Sequence, residues 1–170
     1  VGDGFAWRAE FVDAGSLPGA ATVQFDQDSG VVTVDLLRPG QSAQVRVVAT
    51  AEGYLPGSAT RTEAAATGAA WLVEFESVTR GPDAGVVSGL VSDYAAAVDA
   101  GFEFEVVAFD VVGDMPEGAE AVLAAETGVV TVSGLDDGQE ASVTVQSSQT
   151  GYESDEGILT QSALVSAHEP

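Results

Sequence analysis

The chain has 170 residues, 45% of them hydrophobic, and its 27 acidic and five basic side chains give a net charge of −22. This composition can bury a core, but so acidic a surface repels phosphate groups, which excludes nucleic acid and anionic membrane surfaces as partners. Because the chain has no cysteine, it has no disulfide, no thiolate nucleophile and no cysteine metal site. No apolar run approaches the ~20 residues of a membrane span.

The first part of the chain predicts five β-strands. Apolar residues alternate with more polar ones in "FAWRAEF" (5–11) and "SAQVRVVA" (42–49), which is the period of half-buried strands. Turn signals such as "QDSG" and "RPG" separate the stretches, and Pro39-Gly40 suits the centre of a type II turn. The predicted strands lie near 4–13, 20–26, 30–36, 42–51 and 56–64.

The second part predicts seven strands and one short helical stretch. "YAAAVDA" (94–100) is helical in pattern and long enough for about one turn. The predicted strands lie near 70–79, 84–92, 100–112, 119–125, 129–133, 140–149 and 156–165. Seven short antiparallel strands in about 100 residues are typical of an immunoglobulin-like sandwich.

The two parts of the chain repeat one another. "GVVTVDLLRPGQSAQVRVVATAEGY" (30–54) matches "GVVTVSGLDDGQEASVTVQSSQTGY" (128–152) at 13 of 25 positions, 98 residues apart. Upstream, "GFAWRAEFVD" (4–13) matches "GFEFEVVAFD" (101–110) with one residue of slippage. A repeat of this length indicates tandem domains of one family. We therefore predict an all-β protein of two Ig-like antiparallel sandwiches, residues 1–68 and 69–170.

The first copy lacks a counterpart to residues 71–97, so the 1–68 sandwich is expected to be incomplete at its N-terminus. A sandwich without its first one or two strands exposes unpaired backbone groups along an edge. Two explanations are open. The strands precede Val1 in a longer protein, of which this chain, lacking an initiator Met and a leader, is a processed product or a piece; or a neighbouring subunit donates a strand such as "WLVEFESV" (71–78).

The repeated stretch carries a G-x-V-T-V strand, an L-x-x-G turn, a V-x-V strand and then G-Y. In this it resembles the tandem β-sandwich repeats of large bacterial surface and secreted proteins. Those repeats are common in actinobacteria and related in pattern to Ig-like and fibronectin type III modules. The resemblance implies a non-catalytic spacer, adhesive or assembly module outside the cell, in a stalk, filament or adhesin. Its partners would be other repeats, copies of itself, or cell-surface or polysaccharide ligands.

The sequence offers little chemistry, and we predict no catalytic, cofactor-binding or metal residues. The one histidine, His168, lies two residues from the end of the chain, where a catalytic base would lack rigid support. "DQDSG" (26–30) resembles the start of a calcium loop but has Leu37 where a bidentate Glu is needed, so a hairpin turn is expected. The acidic loops "DDGQE" (136–140) and "YESDEG" (152–157) could hold a weak ion, but they share no site with the first copy.

The aromatic residues leave one alternative function open. Trp7 sits on an alternating apolar face and is expected in a core. Trp71 is expected in core or interdomain packing, or else on a sugar-stacking platform. In the alternative, the chain is a carbohydrate-binding accessory of a secreted polysaccharide-degrading enzyme. That function needs an exposed row of aromatics, and most of the 12 present lie on predicted inner faces.

The charge is unevenly divided between the two copies. Residues 1–68 carry eight acidic residues and four arginines, whereas residues 71–170 carry 19 acidic residues and one arginine. We therefore expect Arg38 or Arg46 to pair with carboxylates across a domain or subunit boundary, in a contact that salt weakens. The alternative is that both are unconnected surface arginines.

Overall fold

The structure is a computed structural model and describes residues 4–81 and 83–165. These residues form an all-β chain of twelve strands and one short helix, and every strand pair is antiparallel. The chain divides into two compact units, residues 1–68 (unit 1) and 69–170 (unit 2). None of the helical structure within the described ranges is long and apolar enough to cross a membrane.

Unit 1 contains five strands in two sheets. They are β1 (Ala6–Phe11), β2 (Thr22–Phe25), β3 (Val32–Asp35), β4 (Ser42–Thr50) and β5 (Gly57–Ala64). One sheet has the order β1-β4-β5, and the other is the pair β2-β3. Side chains alternate along β4, where Ala43 and Val45 are buried and their neighbours are exposed, as the period-two pattern predicts.

Unit 2 contains seven strands and the helix. They are β6 (Phe75–Arg80), β7 (Val87–Val91), α1 (Tyr94–Asp99), β8 (Glu103–Val111), β9 (Glu120–Leu123), β10 (Val129–Ser133), β11 (Glu140–Ser148) and β12 (Asp155–Ser162). The sheet orders are β6-β7-β10-β9 and β12-β11-β8. The core of the unit is built mainly from branched aliphatic side chains of the four strands β7, β10, β11 and β12: Val87, Val91, Val130, Val132, Val143, Val145 and Leu159.

Each strand predicted from the sequence has a counterpart in the structure, and β6 differs most from its predicted bounds. It begins at Phe75 instead of near residue 70. The preceding residues are held in an irregular path by side chains of other strands. The hydroxyl of Ser147 donates to the carbonyl of Trp71 at 2.6 Å, and the Val73 N–H donates to Asp155 Oδ2 at 2.8 Å.

The two units pair their strands in the same register. In the β4–β5 ladder Val45 lies opposite Arg61, and in the β11–β12 ladder Val143 lies opposite Leu159, 98 residues further on in both cases. The hairpins β2–β3 and β9–β10 agree in the same way at the same offset. The sequence repeat is therefore also a repeat of backbone pairing.

The one-residue slippage in the repeat is a β-bulge. In the β8–β11 ladder Val106 pairs with Val145 and Ala108 pairs with Thr144, which leaves Val107 without a partner residue. The corresponding β1–β4 ladder runs without interruption. The offset between the copies is therefore one residue smaller before the bulge than after it.

The turn before β4 is repeated in the turn before β11. Gly40 has φ of 67° and Gly138 has φ of 70°, which suits the third position of a type II turn, as predicted. The next residue in each copy is a glutamine whose side-chain amide reaches the loop after β1 in unit 1 and the loop after β8 in unit 2. Gln41 Nε2 donates to the Ser16 carbonyl and Gln139 Nε2 to the Asp114 carbonyl, both at 2.9 Å.

Unit 1 has no strand corresponding to β6 or β7 among residues 4–68, and no helix corresponding to α1. As a result β3 pairs with β2 alone, whereas its counterpart β10 lies between β9 and β7. The unpaired side of β3 is the candidate site.

Candidate functional site

The free side of β3 is an open strand edge. The carbonyl of Val31 accepts from the Asp26 N–H at 2.8 Å, so odd-numbered residues of this strand face β2. Because backbone groups alternate along an antiparallel strand, the N–H and C=O groups of Val32 and Val34 face away from β2. The side chains of these two valines are partly buried, on the inner face of the hairpin.

The same edge of unit 2 is occupied. There Val130 pairs with Gly89 and Val132 pairs with Val87, both on β7. The carbonyl of Gly128 accepts from the Val91 N–H at 3.0 Å. Unit 2 thus demonstrates how this backbone edge is satisfied when a neighbouring strand is present.

A groove follows the open edge between β3 and β5, and we call it the β3 groove. One part has a volume of about 430 Å³ and extends from Gly30 past Val45 to Arg61. The adjoining part, of about 320 Å³, shares Val32 and Glu63 with the first and continues to the end of β3. The groove therefore follows the length of the unpaired strand.

The space of the β3 groove is filled in unit 2 by residues of the 71–97 segment. A Cβ added to Gly128 would lie 2.3 Å from the Tyr94 ring, and one added to Gly89 would lie 2.7 Å from Leu159 Cδ1. The positions corresponding to Gly128 and Leu159 are Gly30 and Arg61, both of which line the groove. A Cβ added to Gly30 meets no atom within 4 Å.

The inner face of β5 carries an ion pair. Arg61 Nε lies 2.9 Å from Glu63 Oε1, and the Arg61 side chain is 82% exposed. Leu159, which has the same register position in unit 2, is 2% exposed. Sequence reasoning missed this pair, although the offset of 98 already aligns Arg61 with Leu159. Inward-pointing charges on an edge strand are one way that proteins discourage indiscriminate strand pairing.

An exposed aromatic pair lies elsewhere in unit 1. The rings of Phe5 and Tyr54 are 5.7 Å apart, and the residues are 39% and 70% exposed. In unit 2 the corresponding Phe102 and Tyr152 are 5.2 Å apart, but Phe102 is only 6% exposed and also contacts Trp71 at 5.7 Å. The exposed Phe5 therefore corresponds to a buried Phe102, and the segment that packs on Phe102 has no counterpart among residues 4–68.

The two tryptophans both pack inside their own units. Trp7 stacks on Phe25 with ring centroids 5.5 Å apart, and its buried indole Nε1 has no hydrogen-bond partner. Trp71 is partly buried and packs on Phe102. The indole rings are therefore engaged in packing contacts on partly buried faces.

Arg46 is paired inside unit 1. Its Nε donates to Glu10 Oε1 at 2.8 Å, across the β1–β4 ladder. The hydrogen bond from Arg46, followed by the charges of Arg46 and Arg8, holds the pKa of Glu10 below its usual value of 4.5. Pairing with carboxylates across a domain or subunit boundary stays a prediction for both Arg38 and Arg46. The backbone N–H of Arg38 donates to Gln41 Oε1 at 3.1 Å.

The stretch 26–30 forms a turn that the Asp26 carboxylate holds. Asp26 Oδ1 accepts from the backbone N–H groups of Asp28 at 2.8 Å and Ser29 at 3.3 Å, as in the predicted hairpin turn. These hydrogen bonds lower the pKa of Asp26. Within residues 4–81 and 83–165, no group of three or more His, Asp or Glu side chains is arranged to hold a metal ion. His168 lies outside the described residues.

Comparison with known proteins adds no family. No family model matches the sequence, and no curated protein matches it.

Proposed function

We propose that the chain is a pair of tandem Ig-like modules that serves as a non-catalytic structural or interaction part of an extracellular bacterial repeat protein. The strand order β6-β7-β10-β9 with β12-β11-β8 corresponds to the ABED and CFG sheets of Ig domains of the constant type. Unit 1 repeats the last five strands of unit 2 in chain order, and its β2–β3 and β4–β5 ladders keep the same register, which supports an Ig-like module that lacks its first two strands.

The β3 groove is the observation that carries this proposal. An edge strand with free N–H and C=O groups beside apolar side chains is a surface that pairs with another extended chain. Such an edge suits a stalk, filament or adhesin in which modules associate by strand addition. The partners in this proposal are other repeats, copies of the chain, or cell-surface ligands.

The alternative, a carbohydrate-binding accessory module, is favoured by the exposed rings of Phe5 and Tyr54. Aromatic rings on a surface can stack against sugar rings. However, Phe102 and Tyr152 form the same pair in unit 2, where Trp71 packs on Phe102. The pair in unit 1 is thus explained by the absent segment, and we place this function second.

Two measurements test the proposed function. Fluorescent antibodies against the chain should label intact cells of the source organism as strongly as permeabilised cells; labelling confined to permeabilised cells would contradict an extracellular role. The purified chain should also remain in the supernatant when mixed with insoluble cellulose, chitin or cell-wall glycan. Sedimentation with one of them that Tyr54→Ala abolishes and Leu55→Ala preserves would establish the alternative.

A further inference from the structure

We propose that the β3 groove binds a single extended strand that runs antiparallel to β3 and has the side-chain pattern of β7, and that it excludes a second strand of β6 type. The inference rests on the proposed role of the chain as an interaction module and specifies the partner of that role. Unit 1 retains the contacts that hold β7 in unit 2 and has lost those that hold the segment before β6.

The contacts that hold β7 in unit 2 are retained in unit 1. The edge that pairs with β7 is Gly128–Val132, and its counterpart Gly30–Val34 has the identical sequence "GVVTV". Both glycines have φ of 73°, so the backbone enters the two strands in the same conformation. The edge groups of Val32 and Val34 are therefore placed to pair as those of Val130 and Val132 do.

The side chains that anchor the segment before β6 are lost. In unit 2 the Ser147 hydroxyl binds the carbonyl of Trp71, and the Asp155 carboxylate binds the N–H of Val73. At the offset of 98 the corresponding residues of unit 1 are Ala49 and Gly57. Neither has a side-chain polar atom, so neither anchoring bond can form.

A third replacement blocks the path of the same segment. Gly157 leaves room for the backbone of Val73, because a Cβ at this position would lie 2.2 Å from the Val73 carbonyl oxygen. Unit 1 has Ala59 at the corresponding position, and this residue lines the β3 groove. A segment that followed the path of Val73 would collide with the Ala59 side chain.

The chemistry of the bound strand follows from β7. Val87 and Val91 are 1% and 0% exposed, so the strand supplies branched aliphatic side chains to the inner face at these two positions. Between them Gly89 makes room for Leu159. Arg61 takes the position of Leu159 in unit 1, so the residue opposite Val32 must also be small.

The bound strand is not β7 of the chain itself. In this chain β7 is an inner strand of its sheet, paired with β6 on one side and β10 on the other. Its release would expose the core of unit 2. A second copy of the chain is therefore a poor donor in its folded state.

The test uses the full chain labelled with ¹⁵N and a peptide of residues 84–92, "AGVVSGLVS". We expect saturable binding that slows amide exchange at Val32 and Val34 at least tenfold and leaves Val130 and Val132 unchanged. A peptide of residues 71–78, "WLVEFESV", should produce no such protection. Equal protection by the two peptides, or no saturable binding by the first, would overturn the proposal.

Two variants make the assignment specific. Val32→Pro removes an N–H that faces the open edge and leaves the β2–β3 ladder intact, so peptide binding should fall at least tenfold. A peptide carrying Gly89→Leu should bind at least tenfold more weakly to the unaltered chain, a result that does not depend on folding of a variant protein. Undiminished binding in either experiment contradicts the proposal, as does a dimer of the chain that excess peptide fails to dissociate. Surface labelling of cells remains independent of these results, so the inference can fail while the proposed function stands.

Discussion

Arg61 lies opposite Val45 in unit 1, in the register position that Leu159 holds opposite Val143 in unit 2. The Arg61 side chain is 82% exposed and Leu159 is 2% exposed. The backbone pairing is the same, but only Leu159 is covered by strands β6 and β7. This register position thus has an apolar residue, Leu159, in the unit where β6 and β7 cover it, and a charged residue, Arg61, in the unit without those strands.

This relationship predicts unequal effects of truncation at the two positions. Leu159→Ala leaves a cavity in a closed core and should lower the free energy of unfolding of unit 2 by about 2–5 kcal/mol. Arg61→Ala removes an exposed ion pair and should change the free energy of unfolding of unit 1 by less than about 0.5 kcal/mol. Urea unfolding followed by tryptophan fluorescence can resolve the units. In a Trp7→Phe background the remaining Trp71 reports on unit 2, and in a Trp71→Phe background the remaining Trp7 reports on unit 1. Similar losses at both positions would mean that Arg61 is covered in solution.

The glycines that begin the two "GVVTV" strands provide a matched pair. Gly30 and Gly128 both have φ of 73°, so alanine introduces similar backbone strain at each. The added Cβ meets no atom within 4 Å at Gly30 but overlaps the Tyr94 ring at Gly128. In the same urea experiment, Gly128→Ala should therefore lower the free energy of unfolding of its unit by about 1–3 kcal/mol more than Gly30→Ala does. Equal costs would indicate that a covering group occupies the β3 groove.

The turn glutamines should have equal roles in the two units. Gln41→Ala and Gln139→Ala each remove a hydrogen bond within the turn before β4 or β11 and a hydrogen bond from that turn to a neighbouring loop. We expect each variant to lose about 1–2 kcal/mol in the free energy of unfolding of its own unit. Gln44→Ala, an exposed position on β4, serves as the control and should be nearly neutral. An effect in one unit only would contradict the structural equivalence of the turns.

The Glu10–Arg46 pair predicts a specific dependence on pH. The pKa of Glu10 is lowered in the folded state, chiefly by the hydrogen bond from Arg46. Its contribution to stability is therefore complete above the unfolded pKa, near 4.5, and is lost as pH falls through the folded pKa. In an NMR titration, Arg46→Ala should raise the pKa of Glu10, whereas Arg38→Ala should leave it unchanged. A Glu10 pKa that is the same with and without Arg46 would contradict the observed contact.

Much of the fold could be predicted because the relevant information is local. The alternation in "SAQVRVVA" and the turn at Pro39-Gly40 place strands and connections without reference to distant residues. The bulge at Val107 was visible as a slippage in the repeat, but its nature required the strand register. The late start of β6 depends on hydrogen bonds from Ser147 and Asp155, which are more than 70 residues away in sequence.

The candidate site was only partly predictable. The open edge followed from the absence of a counterpart to residues 71–97. The charges of Arg61 and Glu63 inside the groove could not be predicted, because "GSATRTEA" shows which residues share a face of β5 but not which face is inner. The alignment of Arg61 with Leu159 contained that information. That alignment places Arg61 on the inner face of β5 only once Leu159 is known to be buried.

The most direct test of the open β3 edge is hydrogen exchange of the dilute full chain. The N–H of Thr33 faces β2, whereas those of Val32 and Val34 face the open side. We expect the amides of Val32 and Val34 to exchange about 100-fold faster than that of Thr33, as solvent-exposed amides do beside protected ones. In unit 2, Val130 and Val132 should be as slow as their neighbour in the strand. If the amides of Val32 and Val34 are as protected as that of Thr33, the edge is already paired, which contradicts an open β3 edge.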